Sequence, residues 1–313
     1  MGTYCFGIDV GGTTVKCGLF RTDGTLVEKW EIPTRKENNG DQILPDVAAA
    51  VNAKMEEKGI SKEEVEGVGI GVPGPVNSKG EVSRAVNLFW GYKNVVGEME
   101  ELTGLHAEAG NDANVAALGE AWKGAAEGSK NVIMVTLGTG VGGGIIIDSK
   151  IIAGHHGAGG EIGHACVNHN EVRPCNCGNH GCLEQYASAT GIVRVANDIL
   201  EESQEDSKMR HVEKLSAKNV LDFYKEGDAL AVKTMEKVGD ILGSTLAMFA
   251  CVTDPEAIVI GGGVSKAGKA LTDCIQKYYQ KYAFPSCKST PIILASLGND
   301  AGIYGAARMV IKD

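Results

Sequence analysis

The chain has 313 residues, 43% of them hydrophobic, and its 40 acidic and 30 basic residues give a net charge of −10. This length predicts about two domains with a folded core, which excludes a mainly disordered chain, and the acidic balance argues against nucleic acid or an anionic membrane as a partner. No apolar run approaches the ~20 residues of a membrane span and no basic segment precedes an apolar stretch at the N-terminus, so we expect no membrane segment, no signal peptide and a cytoplasmic protein.

Strands alternate with helices along the chain, which predicts an α/β fold. The predicted strands are residues 4–10, 15–20, 25–32, 65–72, 131–137, 142–147, 257–260 and 292–295. The predicted helices are residues 41–58, 112–123, 183–202, 228–252, 267–282 and 301–311. The polar segments 35–41 and 203–216 are predicted to be loops.

Two strand–turn–strand units resemble each other. The first is Gly7–Thr13 and the second is Val135–Gly140. In each, an apolar strand ends in a polar side chain and a Gly-Thr turn, and the chain then returns as a strand. The similarity is consistent with an internal duplication, and equally with two glycine-rich hairpins of separate origin.

Glycine is unusually frequent, with 43 residues against a usual share of ~7%. Three glycine turns stand out, at residues 11–14, 138–143 and 261–263, where a backbone without Cβ atoms could approach an anion. Residues 138–143 match the dinucleotide pattern Gly-x-Gly-x-x-Gly, but a β-type run follows them instead of a helix, so a Rossmann dehydrogenase fits poorly. No Walker loop occurs in the sequence. The turns therefore indicate either hairpin phosphate loops or tight turns alone.

Polar side chains near these turns could serve phosphoryl transfer. Asp9 ends its strand beside the first turn, where a carboxylate can hold Mg²⁺ near phosphates, and Lys16 either reaches the same anion or faces solvent. Asp112 stands where an extended segment meets a helix, so it is either an N-cap or a general base for a substrate hydroxyl. Asn111 beside it could bind a neighbouring hydroxyl.

The chain has nine cysteines, an odd number. Three of them fall within eight residues on a glycine-containing loop, which favours a closed, structural zinc site over disulfides in a reducing compartment. These three are Cys175, Cys177 and Cys182, and the fourth ligand could be His164, His169, His180 or His155. Cysteines that stand singly are expected to be small buried hydrophobes, namely Cys5, Cys17, Cys251, Cys274 and Cys287.

Two glutamates flank the cysteine loop. Glu161 precedes His164 by three residues, and Glu184 follows Cys182 by two. A rigid metal loop would fix both carboxylates as acceptors for the hydroxyl groups of a sugar. Two ordinary surface glutamates fit the same spacing about equally well.

Taken together, these motifs resemble the ROK sugar kinases of the actin-like ATPase (ribonuclease H-like) fold, from residue 7 to about residue 305. Asp9–Thr13 with Lys16 is similar to the first phosphate motif of that family, Leu137–Gly144 to the second, and Gly261–Gly263 to the segment that flanks adenosine. The most specific matches are Gly159–His164 and the run from Cys175 to Glu184.

The resemblance implies a role for each matching residue. Asp112 would be the general base on the 6-hydroxyl of the sugar, and His164 would bind the metal with one nitrogen and face the sugar with the other. The implied sugar contacts are Asn87, Asn111, Asp112, Glu161, His164 and Glu184. The implied zinc ligands are His164, Cys175, Cys177 and Cys182. The implied nucleotide-binding residues are Asp9, Gly11, Gly12, Thr13, Lys16, Gly138, Thr139, Gly140, Gly261, Gly262 and Gly263.

The resemblance also implies a homodimer whose subunits have two lobes with a cleft between them. We expect a small lobe of residues 1–118 plus 298–313 and a large lobe of residues 119–297. The expected activity is ATP-dependent phosphorylation of glucose at the 6-hydroxyl, with ATP, Mg²⁺ and structural Zn²⁺.

Three alternatives remain at this stage. One is phosphorylation of another hexose or N-acetylhexosamine, such as fructose, allose, N-acetylglucosamine or N-acetylmannosamine. Another is a sugar sensor without catalysis, although Asp9 lies only eight residues from Met1, so we expect no DNA-binding module before it. The phosphoryl donor, ATP or polyphosphate, is also open.

Overall fold

The computed structural model describes residues 2–312. The strands in this range are β1 (Tyr4–Val10), β2 (Thr14–Arg21), β3 (Leu26–Pro33), β4 (Val65–Val72), β5 (Glu81–Val82), β6 (Lys93–Asn94), β7 (Ala107–Asn111), β8 (Val132–Leu137), β9 (Val141–Ile147), β10 (Lys150–Ile151), β11 (Ala257–Gly261) and β12 (Ile292–Leu294). The helices are α1 (Glu37–Gly40), α2 (Ile43–Lys58), α3 (Val95–Thr103), α4 (Asp112–Lys123), α5 (Glu184–Ala187), α6 (Ala189–Glu202), α7 (Ala217–Lys225), α8 (Ala229–Thr253), α9 (Lys269–Tyr282) and α10 (Ala301–Met309). This mixture of strands and helices is the predicted α/β class.

The first sheet has the strand order β3-β2-β1-β4-β7. The turn after β1 closes with a hydrogen bond from the Gly11 N–H to the Thr14 carbonyl at 3.1 Å, so β2 returns antiparallel to β1. In contrast, β4 and β7 continue the sheet parallel to β1. Because β1, β4 and β7 end at the same edge, residues that follow these strands meet there.

The second sheet has the strand order β10-β9-β8-β11-β12. It repeats the first sheet position by position, with β8 in the place of β1, β9 in that of β2 and β11 in that of β4. β8, β11 and β12 are parallel, as are β1, β4 and β7. The shared order favours an internal duplication over two unrelated hairpins.

The chain divides into two compact units. The first comprises residues up to Lys130, residues 144–160 and residues from Ser296 onward, and the second comprises residues 131–143 and 161–295. These units differ from the expected lobes. A boundary after residue 118 would cut α4, which is continuous and packs on α10, so the first unit extends beyond it.

Helix α10 packs closely on the first sheet and on α4 because glycines occupy the contact points. A Cβ atom on Gly69 of β4 would lie 1.7 Å from the carbonyl oxygen of Ala306, and one on Gly305 would lie 1.7 Å from that of Val115. Both distances are far inside van der Waals contact, so a side chain at either position would displace the helix. The end of the chain thereby supports the strands that carry the first glycine turn.

Several local predictions differ from the structure. The predicted helix 183–202 is two helices, because Ser188 has an extended ψ of 167° and its hydroxyl caps α6 by accepting from the Gly191 N–H at 2.9 Å. Helices α3 and α7 were not predicted, and the polar segment 35–41 contains the four-residue α1, in which Asn38 and Asn39 have left-handed backbone angles. Cys251 is exposed, whereas the other four singly standing cysteines are buried as expected.

A search of residues 2–312 for bilayer-spanning helices finds none with the required length and apolar character.

Candidate active site

Two carboxylates follow parallel neighbours at one edge of the first sheet. Asp9 of β1 is opposite Gly71 of β4, and the next β4 residue, Val72, is opposite Asn111 of β7, which Asp112 follows. The negative charge of Asp112 is close enough to contribute to a raised pKa of Asp9. The topology therefore brings together Asp9 and Asp112, which are 103 positions apart in a chain of 313 residues.

Lys16 lies at this edge, and is only partly exposed. The β1–β2 register places it opposite Asp9, with 3.9 Å between Nζ of Lys16 and Oδ2 of Asp9, and Nζ also donates to the Asn299 carbonyl at 2.8 Å. Burial raises the pKa of Asp9, the charge of Lys16 lowers it, and that of Asp112 raises it. A further cation would stabilise the charged form of Asp9, which suits a carboxylate that holds Mg²⁺.

The helix cap beside Asp112 belongs to its neighbour. Oδ1 of Asn111 accepts hydrogen bonds from the N–H groups of Ala113 at 3.0 Å and Asn114 at 3.2 Å, and Nδ2 donates to the Gly74 carbonyl at 3.1 Å. Asp112 is the first residue of α4 and is exposed, and its Oδ1 accepts from the Ala113 N–H at 2.8 Å. Asn111 thus orients the helix that presents Asp112, and it retains one amide hydrogen for a ligand.

The first glycine turn is fixed from behind by Thr34. The hydroxyl of Thr34 donates to the Gly11 carbonyl at 2.7 Å, and its N–H donates to the Thr13 carbonyl at 3.0 Å. Asn87 is exposed in a 3₁₀ turn at Val86–Leu88, and its carbonyl oxygen lies 3.8 Å from the Cβ position of Gly12. The turn and Asn87 are therefore neighbours within the first unit.

The other two glycine turns are neighbours in the second sheet. Thr136 of β8 is opposite Gly261 of β11, so residues 138–140 and 261–263 begin at the same edge. A cavity of about 520 Å³ opens there, lined by backbone and side chains of Gly138, Thr139, Ala189, Leu221, Gly263 and Val264, among others. Its mainly apolar wall beside a glycine turn suits a nucleotide base and ribose. Gly261 and Gly262 are not in the described lining.

Three cysteines of the loop and one histidine lie together as four potential metal ligands. The ligand atoms of His164, Cys175, Cys177 and Cys182 all lie within 4.8 Å of one another. The sulfurs of Cys177 and Cys182 are 3.6 Å apart, and Nδ1 of His164 is 3.7 Å from the sulfur of Cys175. Zinc–sulfur bonds of about 2.3 Å in a tetrahedron require ligand separations of about 3.8 Å, so the donor set fits zinc.

His164 is the histidine of this set. Of the other histidines considered as the fourth ligand, His169 has its Nδ1 3.4 Å from the sulfur of Cys166, and His155 stacks edge-on against His156. While Nδ1 of His164 faces the cysteines, its Nε2 lies 3.9 Å from Oε2 of Glu161. One ring therefore connects the cluster to an exposed carboxylate.

Glu184 links the cluster to the second glycine turn. Its Oε1 accepts from the Cys175 thiol at 3.3 Å, and its Oε2 accepts from the Val141 N–H at 3.3 Å. A Cβ atom on Gly140 would lie 2.3 Å from that same Oε2. A side chain at residue 140 would therefore displace the Glu184 carboxylate, which occupies the space where it would project.

A charged network that was not predicted from the sequence braces the same loop. Nε of Arg173 donates to Glu171 at 2.9 Å, its Nη1 and Nη2 donate to Asp198 of α6 at 3.0 Å each, and the Tyr186 hydroxyl donates to Glu171 at 2.7 Å. The Arg173 guanidinium is the main cause that lowers the pKa of Glu171 to about 2. The spacing Glu-x-Arg was visible in the sequence, but its partners on α5 and α6 were not.

The ROK family model matches residues 5–313. The chain belongs to the ROK family. It is 42% identical over 97% of its length to the glucokinase of Halalkalibacterium halodurans, of which 94% is covered, and 34% identical over 97% of its length to the glucokinase of Thermotoga maritima, of which 96% is covered.

Solved structures of this ROK family agree with the fold. A ROK glucokinase from Streptomyces griseus in complex with glucose and AMPPNP has a TM-score of 0.72 and 34% identity, with 98% of each chain covered. The ROK hexokinase from Thermus thermophilus has a TM-score of 0.78 and 29% identity, with 97% of each chain covered. The predicted actin-like ATPase fold is confirmed.

Proposed function

We propose that this ROK protein is an ATP-dependent hexose kinase that phosphorylates glucose at the 6-hydroxyl. The main support for this proposal is the 42% identity to a glucokinase over nearly the whole chain. The first unit contributes a carboxylate at the start of a helix, and the second contributes a nucleotide-sized cavity beside a glycine turn and two glutamates beside the four-ligand cluster. Phosphoryl transfer needs this combination of a positioned base, bound phosphates and an oriented acceptor.

Asp112 is assigned the role of general base. It would accept the proton of the 6-hydroxyl as the hydroxyl oxygen attacks the terminal phosphorus of ATP and ADP leaves. Asp112 is exposed at the first turn of α4, so a substrate hydroxyl can approach its carboxylate. Asn111 holds the first turn of that helix in place, which keeps the base oriented.

The nucleotide residues are assigned to each unit separately. In the first unit, Asp9 would hold Mg²⁺, which neutralises phosphate charge when it is bound, and Lys16 with the turn Gly11–Thr13 would bind phosphate oxygens. In the second unit, the turn Gly138–Gly140 would bind phosphates. Gly263 would line the nucleoside pocket, with Gly261 and Gly262 shaping the turn behind it.

The sugar contacts are assigned from the family resemblance, separately for each unit. The first unit carries Asn87, Asn111 and Asp112, and the second carries Glu161, His164 and Glu184. The Nε2 atom of His164 and the carboxylate of Glu161 are close enough to bind adjacent hydroxyls. Other ROK substrates, including N-acetylhexosamines, are the second candidate, because an N-acetyl-D-glucosamine kinase from Haemophilus influenzae is 28% identical over 98% of this chain.

Zinc is assigned to the four-ligand cluster. His164, Cys175, Cys177 and Cys182 would hold it as a closed structural site, in which it supplies rigidity and no reactive water. Burial raises the pKa of the Cys182 thiol to about 12, so binding of zinc requires loss of that proton. The consequence for the sugar is positional, since Glu184 follows the ligand Cys182 by only two residues.

A homodimer is proposed, with exposed apolar side chains of the second unit in its interface. Met248 and Val252 near the end of α8, and Phe284 after α9, are 57%, 83% and 60% exposed. Side chains of this kind are frequent in the centres of protein–protein interfaces. Sedimentation analysis of Val252→Glu would separate this assignment from a monomer, because a charge at the centre of the interface should dissociate the dimer.

One assay tests the activity. ADP release would be measured with purified protein, ATP and Mg²⁺ against glucose, fructose, allose, mannose and the N-acetylhexosamines. Glucose should give the highest kcat/KM. A higher value for an N-acetylhexosamine would replace the assigned acceptor, and binding of sugars without ADP release would indicate a sensor.

A further inference from the structure

A small cavity of the second unit contains a cation that has no role in the assignments above. Its volume is about 210 Å³, and its lining includes Thr139 and Gly140 of the glycine turn, Thr190 and Arg194 of α6, and Glu184. The Nη1 atom of Arg194 is buried and, among residues 2–312, has no hydrogen-bond partner. The positive charge of Arg194 beside this cavity favours a ligand that is anionic.

The position of Arg194 follows from the packing of α6 on the glycine turn. The Ala189 N–H donates to the Gly138 carbonyl at 2.8 Å, and the Thr190 hydroxyl donates to the Thr139 carbonyl at 2.9 Å. Arg194 is four residues after Thr190, so both side chains project from the same face of the helix. The start of α6 therefore directs a guanidinium towards the turn proposed to bind phosphates.

The one carboxylate in the described lining of this cavity has other partners. Glu184 accepts from the Cys175 thiol and from the Val141 N–H, both at 3.3 Å. The negative charge of Glu184 would repel an anion in the cavity, and the positive charge of Arg194 would offset that repulsion. The planar guanidinium offers two parallel N–H donors, a geometry that matches the oxygens of a phosphate group.

Thr139 lines both this cavity and the cavity of about 520 Å³ that suits a nucleoside. A nucleotide whose base lies in the larger cavity would carry its phosphates past Thr139 towards Arg194. We propose that the smaller cavity is a phosphate site in which Arg194 binds the terminal phosphate of the nucleotide donor. This inference rests on the proposed kinase function, and it adds a donor-binding residue that the sequence motifs do not contain.

The test compares ligands that differ in their phosphate groups. Calorimetry would give the Kd of AMPPNP, ADP, glucose 6-phosphate and inorganic phosphate for the wild-type protein, Arg194→Met and Arg194→Lys. We expect Arg194→Met to raise the Kd of AMPPNP at least tenfold and the Kd of ADP less than twofold. Arg194→Lys should raise the Kd of AMPPNP by an intermediate factor. Lys237→Met, which removes an exposed cation of α8, is the matched control and should change neither Kd.

Each other outcome rejects the assignment in a distinct way. If the Arg194 variants bound glucose 6-phosphate more weakly and AMPPNP with unchanged Kd, the cavity would hold the sugar phosphate. If the Kd of no ligand changed, the proposed site would be rejected. Equal loss of glucose affinity and thermal stability in both Arg194 variants would make the residue structural. These measurements need no turnover, so a wild-type protein that binds AMPPNP but phosphorylates no hexose would reject the proposed activity and leave the result for Arg194 standing.

Discussion

The sulfur of Cys175 lies 3.3 Å from Oε1 of Glu184, so a ligand of the four-residue cluster directly contacts a carboxylate assigned to the sugar. The same loop supplies His164, whose second ring nitrogen faces Glu161. The cluster and the two carboxylates therefore form one continuous structure within the second unit. Changes at the cluster should be measurable in sugar affinity even though no cluster cysteine is assigned to the sugar.

Replacing Cys177 by Ser should remove zinc and raise the KM for glucose. Loss of one charge-assisted hydrogen bond from a displaced Glu184 corresponds to roughly tenfold in affinity. Zinc content by atomic absorption and KM by ADP release would be measured on the same samples. Cys166→Ser is the control, because Cys166 lies outside the four-ligand set and contacts His169. Zinc retained at one equivalent in Cys177→Ser, or lost with no change of KM, would contradict this coupling.

Replacing Asp112 by Asn should lower kcat by ~10²–10⁴ while the Kd for glucose changes little, because the amide keeps the shape of the side chain and cannot accept a proton. Turnover would be measured as ADP release at saturating ATP and glucose, and sugar binding by calorimetry. Asp206→Asn, at an exposed aspartate of the second unit, provides the control. Normal turnover by the Asp112 variant would remove the base assignment.

Much of the fold could be predicted because its signals are local. Strand β4 and helix α4 have the predicted bounds, since an apolar run ended by Pro-Gly-Pro and a helix preceded by Asn111 leave little choice. Helix α7 also had local signals that the prediction missed, namely the capping box of Ser216 and Asn219 and buried apolar residues at the helical spacing of Ala217, Val220 and Leu221. The break at Ser188 combines a local signal, the hydroxyl that caps α6, with a hydrogen bond from the Ala189 N–H to the Gly138 carbonyl, which the sequence does not reveal.

The candidate site shows the same division. The three cysteines and the glycine turns follow from residue type and spacing, whereas spacing left the fourth ligand open among four histidines. The roles of Glu171 and Arg194 depend on partners or a cavity built by other elements, so sequence spacing does not identify them. Asp112 was considered as the N-cap of α4, whereas the cap is the preceding residue, Asn111. Asn and Asp are both good N-caps, so the backbone conformation of the first turn decides between them.

Replacing Gly140 by Ala should weaken the binding of glucose without lowering the stability of the fold. The new Cβ would lie 2.3 Å from Oε2 of Glu184, and the end of that side chain can move away, so its carboxylate is displaced. We expect the KM for glucose to rise by roughly tenfold, which corresponds to one lost charge-assisted hydrogen bond. Gly138→Ala is the comparison in the same turn, since its Cβ would have no atom within 4 Å, and both variants would be assayed at saturating ATP because the turn is also assigned to phosphates. Equal KM values for the two variants would show that the position of Glu184 does not matter for the sugar.

The pH dependence of stability should report the Glu171–Arg173 pair. The pKa of Glu171 is lowered from 4.5 to about 2, so its contribution to the free energy of unfolding is present above pH 4.5 and is lost as the pH falls from 4.5 towards 2. Glu171→Gln should therefore unfold at a lower temperature than the wild-type protein at pH 7, and the difference should shrink towards zero near pH 2. Thermal unfolding would be followed by circular dichroism with a chelator in all samples, so that metal binding does not vary with pH. Glu201→Gln, at an exposed carboxylate of α6, should give a curve parallel to that of the wild-type protein. A Glu171→Gln difference that is the same at pH 7 and pH 2.5 would mean that the residue acts through packing and not through its charge.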